Sequence, residues 1–197
     1  MNVRCATIIA GGASRRMGRD KALLSIKGQP LIAHIAEVLR QIFPDLVVVT
    51  SNATIADAAH AHAISDIYPG KGPLAGIHVA LKHWEQPTFC VACDMPYLNA
   101  DYIRHLCAQL EDFDAVIPCS GDYAEPLHAV YTPVCLPVIE STLQQERVGP
   151  VSSIYKQLKV RFIEGEQARQ FDPALRMFEN WNTPEEVKMS LTTVENL

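Results

Sequence analysis

No apolar run in this 197-residue chain reaches the roughly 17 residues needed to cross a bilayer, so a membrane-spanning helix is not expected. The apolar stretch ahead of Gly11 is shorter than a signal-peptide core and runs straight into two glycines. It is expected to be the first strand of a cytoplasmic protein. Positive charge is also scarce: 17 Lys and Arg stand against 22 Asp and Glu, a formal net charge of -5. Such a chain is a poor candidate for coating a nucleic acid backbone, so any anion it binds must be gripped by a local basic cluster. Cys90 and Cys93 have metal-ligand spacing, but no second such pair completes four ligands. The six cysteines sit in apolar contexts such as Thr-Phe-Cys-Val-Ala-Cys and are expected to be buried free thiols. There is no Gly-x-Ser-x-Gly elbow, and no histidine has nucleophile–base spacing. His60 and His62, two apart on an expected helix, would point to different faces and hold no metal. Internal repeats, low-complexity stretches and linkers are absent as well, which leaves one domain over residues 1–197.

What remains is an ordinary globular composition, 48% hydrophobic and 20% charged, arranged as short β-branched runs alternating with helical spacing. Strands are expected at 5–9, 46–50, 63–66, 88–92, 115–118 and 160–163, with an extended segment at 125–131. Helices are expected at 30–41, 53–62, 74–83, from Asn99 as cap to about Leu110, at 133–145 and at 151–158. Thr183-Pro-Glu-Glu186 reads as a capping box. Strands this continuously apolar, alternating with helices, imply a mostly parallel sheet covered on both faces. Ligands of such sheets bind outside the carboxyl ends of the strands. That rule selects the loops at 10–21, 66–76 and 93–97.

The first loop is the most informative. Gly11 and Gly12 permit a tight turn and close approach of backbone to a ligand, and successive amides in such a turn can form an anion nest. Arg15, Arg16, Arg19 and Lys21 then place four positive charges within seven residues, a density that suits a triphosphate. The spacing is not that of a Walker loop, because five residues separate Gly12 from Gly18 and Arg19 follows. The dinucleotide fingerprint is missing too, since Gly11 and Gly12 are adjacent. A solvated basic loop without a ligand is the competing reading.

The run Ile9-Ala-Gly-Gly-x-Ser-x-Arg-Met-Gly-x-Asp-Lys21 resembles the signature of nucleotidyltransferases that act on the molybdenum cofactor, the MobA-type guanylyltransferases above all. Gly72-Pro-Leu-Ala-Gly76, Cys93-Asp-Met-Pro-Tyr97 and Asn180-Trp-Asn-Thr-Pro-Glu-Glu186 follow in the order that family shows, so the resemblance spans nearly the whole chain. It implies a Rossmann-like three-layer α/β sandwich with a mostly parallel sheet, of nucleotidyltransferase type. The implied reaction is transfer of GMP from GTP to the terminal phosphate of molybdopterin, with release of pyrophosphate.

The resemblance also implies roles. Arg16, Lys21 and Asp94 would be catalytic, and Asp94 would be the ligand of a magnesium cofactor, which takes oxygen ligands and keeps few carboxylates beside substrate phosphates. GTP would meet Ile9, Ala10, Gly11, Gly12, Lys21, Asp66, Gly72, Gly76 and Asp94. Asp66 could meet base or ribose, or be a turn aspartate. Asn180 and Asn182 would lie at the acceptor site, although Asn182, just before the cap at Thr183, suits a purely structural turn equally. Arg147 lies where the family carries basic residues, but a solvated helix charge is the better reading. One departure concerns Thr50-Ser-Asn52, where the family's asparagine after the second strand is slightly displaced. Open alternatives are cytidylyl transfer to the same acceptor, nucleotidyl transfer to a sugar or polyol phosphate, and a nucleotide-sensing adaptor without turnover. The adjacent glycines favour guanine over cytosine by resemblance. Transient protein partners for delivering the pterin and collecting the product are implied in the same way; neither nucleic acid nor membrane is.

Overall fold

The computed structural model describes residues 3–11, 20–26, 28–121 and 123–181. In chain order the elements are β1 (Cys5–Ile9), a 3-10 turn at Lys21–Leu23, the hairpin β2 (Ser25–Ile26) and β3 (Gln29–Pro30), α1 (Leu31–Arg40), β4 (Asp45–Val49), α2 (Ala53–Ala58) and β5 (His62–Ile64). Next come α3 (Pro73–Trp84), β6 (Thr88–Ala92), α4 (Ala100–Ala108), β7 (Ala115–Ser120), β8 (Tyr123–Ala124), β9 (His128–Tyr131), α5 (Leu136–Leu143), β10 (Val160–Ile163) and α6 (Gly165–Ala168).

The main sheet runs β10-β7-β9-β6-β1-β4-β5. Its strands are parallel except β9, which is antiparallel to both β6 and β7. Side chains alternate between the two faces, as the period of a strand requires. Ala6 and Ile8 of β1 pack with Leu31, Ile35, Ile103 and Trp181. Ile9, with Val47 and Val49 of β4, packs with Leu74, Ile77 and Ile139 on the other face. Both faces are therefore covered, and the continuous apolar character of the central strands follows from that double burial.

Several boundaries differ from the sequence expectation for identifiable reasons. The helix expected over 53–62 stops at Ala58, because His60 takes a left-handed conformation (φ 48°) and Arg40 Nη2 donates to the carbonyls of Ala59 (2.6 Å) and His60 (2.8 Å). His62 is thereby on β5 rather than a helix. The segment 151–157 is a 3-10 helix, not an α-helix; its buried positions Val151 and Ile154 are three apart, the period of that tighter turn. The segment 133–145 splits into a 3-10 turn at Pro133–Cys135 and α5, and the extended run before Tyr131 turns at Glu125, whose carbonyl accepts from His128 N (3.2 Å). The hairpins at β2–β3 and β7–β8 were not anticipated, since each strand is only two residues or an extension of a longer one. Asn99 does cap α4: its Oδ1 accepts from the amides of Asp101 and Tyr102, both at 3.0 Å.

The topology positions the site. From β1 the chain builds outward through β4 to β5, and α3 then carries it back across to β6 on the other side of β1. The order reverses between β1 and β6, and a crevice opens at the carboxyl ends there.

Candidate active site

Ile9, the last residue of β1, is paired in register with Ala92, the last residue of β6. The segment leaving β6 is tied to the end of β1, where Cys93 N donates to Ile9 O (3.3 Å), and the segment leaving β1 is tied to the end of β4, where Ala10 N donates to Val49 O (3.0 Å). Ala10 and Gly11 thus sit at the head of the crevice beside Cys93 and Asp94. Lys21 returns to the same place, with its Nζ 3.6 Å from Asp94 Oδ2, each side chain about one-fifth exposed (21% and 20%). Burial pushes the Asp94 carboxyl above the usual carboxylate range, and the Lys21 ammonium pulls it part of the way back.

The approach of Lys21 is held by a contact the sequence did not disclose. Asn52 caps α2, its Oδ1 accepting from Thr54 N (3.0 Å), and its Nδ2 donates to Asp20 Oδ2 (3.4 Å). The asparagine that looked displaced as a nucleotide contact therefore ties the end of the basic loop to β4. The Asp94 loop is fixed from the opposite side. Trp181 N donates to Asp94 O (2.8 Å), and the Trp181 ring meets Tyr97 edge-on at 5.9 Å. Arg176 lies 4.1 Å above Tyr97, and His34 Nε2 on α1 is 3.1 Å from Pro96 O. Asn180 is thereby placed next to the Asp94 loop, with its Nδ2 donating to Phe178 O (3.3 Å).

Gly72 and Gly76, one motif in the sequence, do different work in the structure. Gly72 adopts φ 76° ahead of Pro73, the conformation that starts α3 with no side-chain cap. Gly76 is buried one turn further on, where a Cβ would stand 2.8 Å from Ile9 Cγ2. It provides the close crossing of α3 over β1, a packing role that its place in the motif does not disclose. Ile9 likewise turns its side chain into the core, at 5% exposure. A Gly76→Ala change would normally favour a helix by about 0.8–1.0 kcal/mol. Here the β-branched Ile9 blocks the new methyl, and a net loss of about 1–3 kcal/mol is expected in denaturant unfolding. A gain in stability would show that the crossing has slack.

Asp66 Oδ1 accepts from Tyr68 N (2.8 Å), an Asx turn at the start of the 66–76 loop. Arg147 is exposed in the turn after α5. Gly12, Arg16 and Asn182, like the capping box at 183–186, lie outside the described residues. All six cysteines are free, and no group of three or more His, Cys, Asp or Glu side chains among the described residues could hold a metal by itself.

An ammonium and a carboxylate, paired at the junction of two strand ends, can orient a polyphosphate and a divalent cation. Residues 6–162 match the model of the MobA-like NTP transferase domain. The chain belongs to the MobA-like NTP transferase family. Within it, a probable molybdenum cofactor guanylyltransferase of Peptoclostridium acidaminophilum is 40% identical, over 93% of this chain and 86% of its own. A molybdenum cofactor guanylyltransferase of Syntrophotalea carbinolica is 36% identical, over 94% and 90%. The crystal structure of molybdopterin-guanine dinucleotide biosynthesis protein A from Archaeoglobus fulgidus superposes with a TM-score of 0.84 at 29% identity, covering 98% of this chain and 100% of that one. The α/β sandwich with its mostly parallel sheet is thus the fold of a MobA-like NTP transferase, as the glycine–arginine loop implied. No described helix is long and apolar enough to cross a membrane.

Proposed function

We propose that the protein transfers GMP from GTP to the terminal phosphate of molybdopterin. The observation that carries this reading is the Lys21–Asp94 pair across the ends of two strands, at the point where the strand order reverses, in a chain of this family. A phosphate oxygen of the acceptor attacks the α-phosphorus of GTP, the bond from that phosphorus to the α,β-bridging oxygen breaks, and pyrophosphate leaves with the electron pair. No protein nucleophile is required. The protein's work is positioning and charge stabilisation.

Asp94 fits a magnesium ligand. It is a largely buried carboxylate with an ammonium at 3.6 Å, and magnesium is usually held by one or two carboxylates together with substrate phosphates. Bound there, the ion would neutralise charge on the phosphates. Lys21 would stabilise the charge that develops as pyrophosphate departs. Ala10, Gly11 and the turn at Gly72 would supply backbone groups toward the nucleotide, and Asn180 lies on the acceptor side. Buried free thiols such as Cys107, pushed up to about 12 mainly by burial, suit a reducing cytoplasm, where we place the protein.

Thermal unfolding with GTP, CTP, ATP and UTP, each with and without magnesium, tests the reading. A ligand that binds only the folded state raises the midpoint by mass action, about 2.7 kcal/mol at a concentration 100 times its Kd. A GTP-selective, magnesium-dependent shift is expected, followed by pyrophosphate release once molybdopterin is added. A CTP-selective shift would replace guanylyl by cytidylyl transfer. Absence of any shift would leave a fold without nucleotide chemistry.

A further inference from the structure

The nucleotide half of the crevice lies over β1, and the acceptor must approach Asp94 from the other side. The structure shows what borders that side. Because β9 runs antiparallel to β6, the residues preceding β9 arrive at the carboxyl edge: Ala92 N donates to Leu127 O (3.0 Å), two residues before Asp94. Glu125 N donates to Pro118 O on β7 (2.8 Å). Glu125 therefore lies at the head of the sheet between the ends of β6 and β7. Two residues earlier on the same extended run, Tyr123 pairs with Ser120 at the start of β8 and is 78% exposed. Residues two apart on an extended chain share a side.

The Glu125 carboxylate has neither a hydrogen bond nor an ion pair among the described residues, although it is more than half buried. Burial pushes it up to about 7. Its titratable neighbours, Cys119 on β7 and Tyr155 ahead of β10, are themselves pushed up and supply no positive charge. A partly desolvated carboxylate without a cation is matched by neutral N–H donors, and an exposed tyrosine beside it offers a flat apolar surface.

We propose that Tyr123 and Glu125 grip the heterocycle of the acceptor: the carboxylate accepts hydrogen bonds from the N3–H and 2-amino groups of a 2-amino-4-oxopteridine, and the tyrosine ring stacks on it. This rests on the guanylyl transfer proposed above, and it adds the residues that select a pterin as acceptor.

The test compares wild type, Glu125→Gln and Tyr123→Ala at pH 8, where the carboxylate is ionised. Pyrophosphate release from GTP is measured against molybdopterin concentration. Binding of free pterin and of lumazine, which carries a carbonyl in place of the 2-amino group, is followed by ligand fluorescence. Glu125→Gln is expected to raise the KM for molybdopterin by about 10- to 100-fold, the loss of a charged hydrogen-bond partner, with the KM for GTP essentially unchanged. It should also erase the preference for pterin over lumazine, a result that a merely structural role would not produce. Tyr123→Ala, at an exposed position that does not endanger folding, is expected to raise the acceptor KM by about 5- to 10-fold, the scale of one lost stacking contact. An unchanged acceptor KM and an unchanged pterin preference in Glu125→Gln, with wild type active, would overturn the assignment of the carboxylate. A normal acceptor KM in Tyr123→Ala would overturn the stacking role and leave the tyrosine to a protein partner. Failure of wild type to release pyrophosphate with molybdopterin would instead overturn the transfer reaction, and this proposal with it.

Discussion

Lys21→Ala is expected to lower turnover by about 10²- to 10³-fold at saturating GTP and magnesium, equivalent to about 2.7–4 kcal/mol of transition-state stabilisation, the effect of deleting one preorganised donor. The position argues for an effect on the transition state above all. Lys21 is only one-fifth exposed, and Asn52 holds the preceding Asp20, so the ammonium is placed before substrate arrives. Asp94→Asn is expected to be comparably inactive, and the double variant no worse than about the more damaging single one, because in the proposed reaction both groups would act on the same phosphates. Stability should move the other way. Burial raises the folded-state pKa of Asp94 above its unfolded value, so its contribution is complete below the unfolded value and is lost as pH rises through the folded one. Near neutral pH the ionised carboxylate is therefore a cost to the folded chain without its ligands, and asparagine removes it. Steady-state pyrophosphate release and thermal unfolding of the ligand-free protein check the two halves. An Asp94→Asn protein that keeps near-normal turnover, or that is clearly less stable at neutral pH, would show that Asp94 supports the fold and does not serve the chemistry.

The part of this arrangement written plainly in the sequence is the part that depends on short-range chemistry. Strands β1 and β6 are uncharged and buried throughout, as is the Val47–Val49 run of β4, because both faces of the sheet are covered there, and that signal survives in a short window of sequence. Gly72, with φ 76°, marks the turn into α3, and Lys21 at the end of the basic run stands beside Asp94. Contacts made across long separations left little trace. The Asn52–Asp20 bond joins residues 32 positions apart, and from sequence Asn52 was only an asparagine slightly out of place. The need for a bare backbone at Gly76 comes from Ile9, far away in the chain and adjacent only in the fold, so the motif does not show it. His128 was invisible as a core residue. It lies fully buried among Phe89, Tyr102 and Phe178, pushed down to about 3 and hence neutral, and nothing in His-Ala-Val-Tyr announces an aromatic nest. The reversed direction of β9 was equally hidden, since an apolar run carries no arrow; that reversal brings Glu125 to the carboxyl edge.

Trp181→Ala is expected to cost about 3–5 kcal/mol of stability, the range for emptying a large buried aromatic site. Trp181 is 1% exposed and belongs to the core on the α1 and α4 side of the sheet, although it follows the last described helical turn of the chain. Its ring braces Tyr97, over whose face Arg176 also lies, and its amide holds the carbonyl of Asp94. Alanine keeps that amide but removes the ring that anchors the segment, so the Asp94 carbonyl loses its partner whenever the segment lifts. Two readouts should then change together: the unfolding free energy in denaturant, and the rate of transfer at a temperature where the variant is still folded. Trp181→Phe separates them from a lost polar contact, because the indole Nε1 has no hydrogen-bond partner among the described residues. Phenylalanine fills most of the site and should recover most of both. A loss below about 1 kcal/mol in Trp181→Ala, outside the range for a filled aromatic site, would mean that the cavity collapses or that the segment is not what fixes the Asp94 loop. Normal stability with reduced transfer would instead place the indole in contact with the acceptor.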